Sequence, residues 1–171
     1  MREYVAPEQK TALLRTAIIR GNFVLASGIQ SSEKFVFDRI ETDSELFHIA
    51  VGGLARCIQE NIDLDEHDTV ALVTVATGAN RLGDPLVNEL PVMHVPSRKD
   101  PEGNLYIPER TQGLSGILVD DVYTTGSSFE KVKHQFDGRL IAAVAVLDRS
   151  GLERPVLSDN VPVYSVIKHS F

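Results

Sequence analysis

Cysteine is nearly absent from this sequence, whose 171 residues include only Cys57. A lone cysteine excludes an intrachain disulfide, and its place in an apolar helical pattern marks it as a core residue rather than a nucleophile. Positive charge is also scarce: 17 Lys and Arg against 24 Asp and Glu give a formal net charge of -7. That balance excludes a general nucleic-acid or anionic-membrane surface, so any phosphate site must be a local pocket. No long apolar run exists, since the longest clean one, 141–147, is far too short to cross a bilayer. The start "MREYVAPEQK" lacks the apolar core of a signal peptide, and a cytoplasmic protein is expected. None of the five histidines stands at a metal-ligand spacing such as H-x-x-x-H, which argues against a built-in zinc site. Neither G-x-x-x-x-G-K-[ST] nor G-x-G-x-x-G occurs, which disfavours a nucleoside triphosphate or NAD. Repeats, low-complexity tracts and Pro/Gly/Ser linkers are missing too, so 1–171 reads as one domain.

What is present is the alternation of an α/β protein. Leu13, Leu14, Ala17 and Ile18 recur at helical spacing and predict a first helix over 8–20, with Gly21 as its C-cap. "NFVLAS" and "KFVFD" read as a pair of strands. Thr42 and Glu45 have the spacing of a capping box ahead of an amphipathic helix carrying Leu46, Phe47, Ala50, Val51, Leu54, Ala55 and Ile58. Beyond Asp68, "TVALVTV", "PVMHV", "GILVD" and "LIAAVAVL" lack polar alternation, as strands buried on both faces of a parallel sheet do, and "VPVYSVI" adds another. Asp84 and Pro85 look like an N-cap and N1 pair before "LVNEL", and "SSFEKVKHQF" predicts a further helix. Such alternation implies a mainly parallel sheet flanked by helices. Residues 97–115 hold few apolar and many turn-forming residues, a long excursion with a small hairpin expected around "NLYIP".

Chemistry concentrates in "ILVDDVYTTGSS". In an open parallel sheet ligands bind beyond the carboxyl ends of the strands, and this strand delivers Asp120 and Asp121 to that edge. Carboxylates accept hydrogen bonds from vicinal sugar hydroxyls and attract hydrated Mg²⁺. Thr124, Thr125, Gly126, Ser127 and Ser128 then lead into a helix, where free N–H groups, hydroxyls and a close-approaching glycine suit an anion. An ordinary helix N-cap would account for Ser127 but not for two acids followed by Thr-Thr-Gly. A ligand with a diol beside a phosphate satisfies both halves.

The motif resembles the phosphoribosyl diphosphate (PRPP) binding motif of type I phosphoribosyltransferases. The resemblance implies the fold of that family, a central mainly parallel sheet with a small N-terminal hood. The hood would cover about 1–40 and the PRPP-binding core about 41–171. It implies that Asp120 and Asp121 hold the ribose hydroxyls and favour the cationic sugar of an oxocarbenium-like state, while 124–128 binds the 5′-phosphate. Three further stretches are similar to orotate phosphoribosyltransferases. "GNFVLASGIQSSEKFVFDRIETDSELF" matches the N-terminal pattern, with Lys34 and Phe35 as candidates to face the base. "SRKD" resembles the start of the mobile catalytic loop, which implies that Arg98 and Lys99 contact the diphosphate, with Lys99 catalytic. "LDRSG" matches the turn whose arginine, here Arg149, binds the orotate carboxylate. A guanidinium fork suits a carboxylate, although an arginine at a strand end is by itself most often a surface ion-pair partner. "VATGANRLGDP" sits where the family has its diphosphate loop, implying roles for Thr77, Gly78 and Ala79, with added charge from Arg81.

The resemblance thus implies an enzyme that uses PRPP and orotate with Mg²⁺ brought by PRPP, working as a homodimer. One departure stands out. The family's mobile loop carries a second lysine and a histidine, whereas "RKDPEGNLYIPER" has Glu102 and Asn104 there and no histidine. The C-terminus is also shorter than in many of these enzymes, so part of the lid is expected to be missing or to come from a partner subunit. Two alternatives stay open, a transferase for another base and a PRPP-binding regulatory protein without catalysis.

Overall fold

The chain begins with helix α1 (Pro7–Ala17), which gives way without a break to the hairpin of β1 (Ile18–Val24) and β2 (Gln30–Phe35). A short α2 (Asp38–Glu41) and a long α3 (Ser44–Asn61) lead to β3 (Val70–Thr74), α4 (Asn80–Glu89) and β4 (Met93–Pro96). A small hairpin of β5 (Arg98–Lys99) and β6 (Leu105–Tyr106) follows, then β7 (Ser115–Tyr123), α5 (Ser127–Lys133), β8 (Arg139–Asp148) and β9 (Val163–Lys168). These assignments come from a computed structural model, which describes residues 3–25, 28 and 30–169. Among them no helix is long and apolar enough to cross a membrane.

Five strands form one sheet in the order β4-β3-β7-β8-β9, every neighbour parallel. Their side chains alternate between two cores. Leu72, Ile117, Val119, Val144 and Val146 join Leu13 of α1, Leu54 and Ile58 of α3, and Leu82 and Leu86 of α4 on one face. Ala71, Val73, Leu118, Ala143 and Ala145 join Phe129 and Val132 of α5 on the other. Burial on both faces is why these strands read as unbroken apolar runs.

Local boundaries depart from the sequence reading in five places. The first helix stops at Ala17 rather than 20, because the β-branched Ile18 and Ile19 pair with Phe35 and Lys34 of β2. Gly21 therefore lies inside β1, where a Cβ would stand 2.9 Å from the Phe23 ring. The second strand ends at Phe35, not 38; Ala26 and Ser27 of the "NFVLAS" segment lie outside the described residues. The N-cap of α3 is Asp43, whose carboxylate accepts from the N–H groups of Glu45 and Leu46 at 3.1 Å, while the Thr42 hydroxyl donates to Arg39 O. Helix α4 starts at Asn80, which places Asp84 and Pro85 inside it, and the Asp84 carboxylate meets His94 instead of capping. Helix α5 is also shorter than "SSFEKVKHQF", ending at Lys133.

Candidate functional site

Strand β7 carries Asp120 and Asp121 to the carboxyl edge of the sheet. Asp120 is buried at 8% exposure and Asp121 is half-buried. The Asp121 N–H donates to Asp120 Oδ1 at 2.9 Å, and the Val122 N–H donates to Asp121 Oδ1 at 2.7 Å. Burial, and next the Asp121 charge, push the Asp120 carboxyl well above the usual carboxylate range, with Lys99 pulling the other way. Burial raises Asp121 too, opposed by hydrogen bonds from the Asp120 side chain and the Val122 N–H. The pair is thus a buried, acceptor-rich site that a ligand offering hydroxyl donors or positive charge relieves.

The turn after β3 packs directly on this pair. Val75 N–H donates to Val119 O at 2.9 Å, and a Cβ on Gly78 would lie 3.0 Å from Asp121 Oδ2. The Ala76–Thr77 peptide is cis. Thr77 is exposed and Gly78 half-buried, whereas the Ala79 methyl lies in the core. Arg81 points to Glu41 at 3.2 Å, closing one side of a 330 Å³ pocket lined by Asp38, Glu41, Thr42, Thr77, Gly78 and Arg81. Burial raises the Glu41 carboxyl, against the opposing pull of Arg81.

On the other flank, Thr124 to Ser128 form the turn into α5. Gly126 has φ 82°, and a Cβ there would stand 3.0 Å from the Tyr123 ring and 3.2 Å from Leu157 Cδ2. Only glycine adopts this conformation without strain in so tight a place. Thr125, Ser127 and Ser128 are exposed and Thr124 is half-buried. Small hydroxyl side chains beside N–H groups that have no helical partner can hold a phosphate.

Arg98 and Lys99 form β5, both exposed. The expected hairpin is there, pairing Arg98 with Tyr106 and Lys99 with Leu105. Its turn is clasped by Asp100, whose carboxylate accepts from Asn104 N–H at 2.7 Å and from Asn104 Nδ2 at 2.9 Å.

Arg149, just beyond β8, is half-buried. Its N–H donates to Tyr123 O at 2.8 Å, and its Nη2 reaches Ser31 Oγ at 3.3 Å and Glu33 O at 3.4 Å. The β1–β2 hairpin is thereby joined to the sheet edge. The Glu33 carboxylate meets Arg20 at 3.3 Å and His169 at 3.4 Å. Burial lowers the Arg149 pKa, and the nearby Glu33 charge opposes this. The structure separates the expected pair Lys34 and Phe35: Lys34 is exposed, whereas the Phe35 ring packs in the core 6.3 Å from that of Phe37. Ser31 and Glu33 share the face of Phe35 and were missed; strand periodicity of two was the signal that identifies them.

The structure therefore sets Asp120 and Asp121 at the carboxyl end of β7, with Gly78 against Asp121 and the Lys99 charge near Asp120, places 124–128 beyond that strand, and brings Arg149 to the end of the neighbouring strand. Among the described residues no group of three His, Cys, Asp or Glu side chains could hold a metal ion by itself. Hard carboxylate oxygens such as those of Asp120 and Asp121 suit Mg²⁺, which takes one or two of them together with substrate phosphates.

No family model matches the chain. It is 30% identical over 166 residues to the orotate phosphoribosyltransferase of Thermococcus gammatolerans, covering 90% of this chain and 84% of the relative. It is 30% identical over 172 residues to that of Sulfurisphaera tokodaii, covering 93% and 82%. The crystal structure of the Aeropyrum pernix orotate phosphoribosyltransferase superposes with a TM-score of 0.71 at 25% identity, covering 94% of this chain and 92% of that one. A likeness of this degree, covering more than four fifths of both chains in each pair, makes the chain a member of the orotate phosphoribosyltransferase family.

Proposed function

We propose that the chain transfers the 5-phosphoribosyl group of PRPP to N1 of orotate, giving orotidine 5′-monophosphate and diphosphate. The carrying observation is the placement of a tethered cation, Arg149, at the same sheet edge as the buried acid pair. A diol reader and a carboxylate reader on adjoining strands fit the two substrates. Asp120 and Asp121 hold the ribose hydroxyls and favour positive charge on the sugar as the bond to diphosphate lengthens. The 124–128 turn holds the 5′-phosphate. Thr77, Gly78 and Ala79 offer backbone N–H groups to the diphosphate, and Arg98 and Lys99 neutralise its growing charge, as electrostatic stabilisation requires. Asp120 and Asp121 would lie near a Mg²⁺ ion brought by PRPP, which would supply further charge neutralisation. No protein nucleophile is needed. Residues 1–40 serve as the hood and 41–171 as the core of a cytoplasmic homodimer.

The test combines purified protein, PRPP, Mg²⁺ and orotate, following orotate consumption. Turnover is expected. Arg149→Ala should raise the KM for orotate by roughly 10- to 150-fold, the loss of a charge-assisted hydrogen bond, while the KM for PRPP changes little. Equal losses for both substrates would remove Arg149 from the base site. One observation favours a second reading, a non-catalytic PRPP-binding regulator: the Asp100–Asn104 clasp ties off the hairpin that carries Arg98 and Lys99. Tight PRPP binding without turnover of any base would select it, and consumption of a different base would assign another transferase.

A further inference from the structure

Beneath the 75–79 turn runs a chain of hydrogen bonds that the proposed reaction does not use. Thr74 at the end of β3 and Ser97 after β4 are both fully buried. The Thr74 hydroxyl lies 2.6 Å from Asn80 Oδ1 and 2.8 Å from His94 Nε2. Asn80 Nδ2 donates to the Ser97 carbonyl at 3.1 Å, and the Ser97 hydroxyl accepts from the Ala76 N–H at 2.8 Å. At the outer end, His94 Nδ1 stands 2.9 Å from Asp84 Oδ1.

The available donors fix where the protons sit. The Ser97 carbonyl can only accept, so Asn80 turns its NH₂ there and its oxygen toward Thr74. The Thr74 hydroxyl has one proton, which goes to Asn80 Oδ1, and His94 Nε2 must then donate to Thr74. At its other ring nitrogen, His94 Nδ1 faces the exposed Asp84 carboxylate, so the ring is held between Asp84 and Thr74. Gly83 of α4 makes room for the ring, because a Cβ there would fall within the imidazole.

The inner end of this chain is Ala76, first residue of the irregular turn, and Ser97, which immediately precedes Arg98. Ser97 N–H also donates to Thr74 O at 3.0 Å. One network therefore fixes both the turn and the root of the cationic hairpin. We propose that His94 and Asp84 are positioning residues for diphosphate binding: His94, held between Asp84 and Thr74, orients Thr74 and Asn80, which hold the 76–79 turn and the start of β5 in the geometry that receives the anion. This rests on the reading of 77–79 as the diphosphate loop.

Calorimetric titration of the full-length protein with inorganic pyrophosphate and Mg²⁺ tests it. His94→Val should weaken pyrophosphate binding about tenfold, as one lost charge-assisted hydrogen bond does. Asp84→Ala, at a side chain 90% exposed, should weaken it about threefold, as a lost surface ion pair does. His94→Gln, whose amide still donates to Thr74, should recover most of the loss. Ring ¹⁵N resonances of His94 should report a proton on Nε2 in the wild type. Wild-type pyrophosphate affinity in both His94→Val and Asp84→Ala, or a wild-type ring without a proton on Nε2, would overturn the proposal. So would a loss of affinity that merely follows a fall in melting temperature. If the wild type itself does not bind pyrophosphate, the loop reading falls and the positioning role with it; if it binds and the variants match it, only the positioning role falls.

Discussion

Asparagine in place of Asp120 separates what the buried acid pair does for the ligand from what it costs the fold. Asp120 is 8% exposed, and its Oδ1 accepts the Asp121 N–H at 2.9 Å, a bond that an amide oxygen preserves. The substitution therefore removes one charge and little else. Because burial and the Asp121 charge raise the folded-state pKa of Asp120, the native protein binds that proton more tightly than the unfolded chain does. Its stabilising effect is complete below the ordinary carboxylate pKa and is lost as pH rises through the higher folded-state value. Asparagine does not titrate. The variant should match the wild type at the acid end and surpass it as pH rises to neutrality. The gain expected at pH 7 is about 1 kcal/mol, or roughly 2–4 °C in Tm, typical for neutralising a functional site in a domain of this size. Catalysis should move the other way: losing an ionised acceptor for a ribose hydroxyl, about 1.5–3 kcal/mol, raises the KM for PRPP by roughly 10- to 150-fold. Thermal unfolding across the pH range, paired with PRPP kinetics, reads both. A stability difference that does not depend on pH would refute the electrostatic argument, and an unchanged KM would remove Asp120 from the ribose site.

Gly126→Ala forces a side chain into φ 82° and sets its Cβ 3.0 Å from the Tyr123 ring, so denaturant unfolding should show a loss of about 1–3 kcal/mol. PRPP binding should weaken more than orotate binding, and a neutral substitution would contradict the tight turn. Cys57 is wholly buried in α3, and burial, aided by the Glu60 charge, pushes its thiol up to about 12. A maleimide at pH 8 should label the native protein no faster than it unfolds, and rapid labelling would contradict this packing.

The sheet was legible because burial on both faces leaves a simple imprint, runs without polar alternation, and the acid pair was legible because its residues are contiguous. Errors arose where a partner distant in sequence decides the outcome. Ile18 fits the helical period of Leu14 as well as it fits a strand, and only its pairing with Phe35 selects the strand. Asp84 beside Pro85 has the chemistry of a helix start, yet the carboxylate is taken by His94 from another element and the helix begins five residues earlier, at Asn80.

The β1–β2 hairpin beside Arg149 illustrates the same point. Once Phe35 is placed in the core, period-two alternation directs Glu33 and Ser31 inward and Lys34 outward, so Lys34 and Phe35 cannot line one face. The residues that do meet Arg149 then make chemical sense. Its Nη2 is oriented by the Ser31 hydroxyl and the Glu33 carbonyl, neutral acceptors that direct a guanidinium without cancelling its charge. The Glu33 carboxylate oxygens are engaged by Arg20 and His169. Arg20, on the same hairpin, thus offsets part of the Glu33 charge beside Arg149, which leaves that guanidinium more open to a second carboxylate.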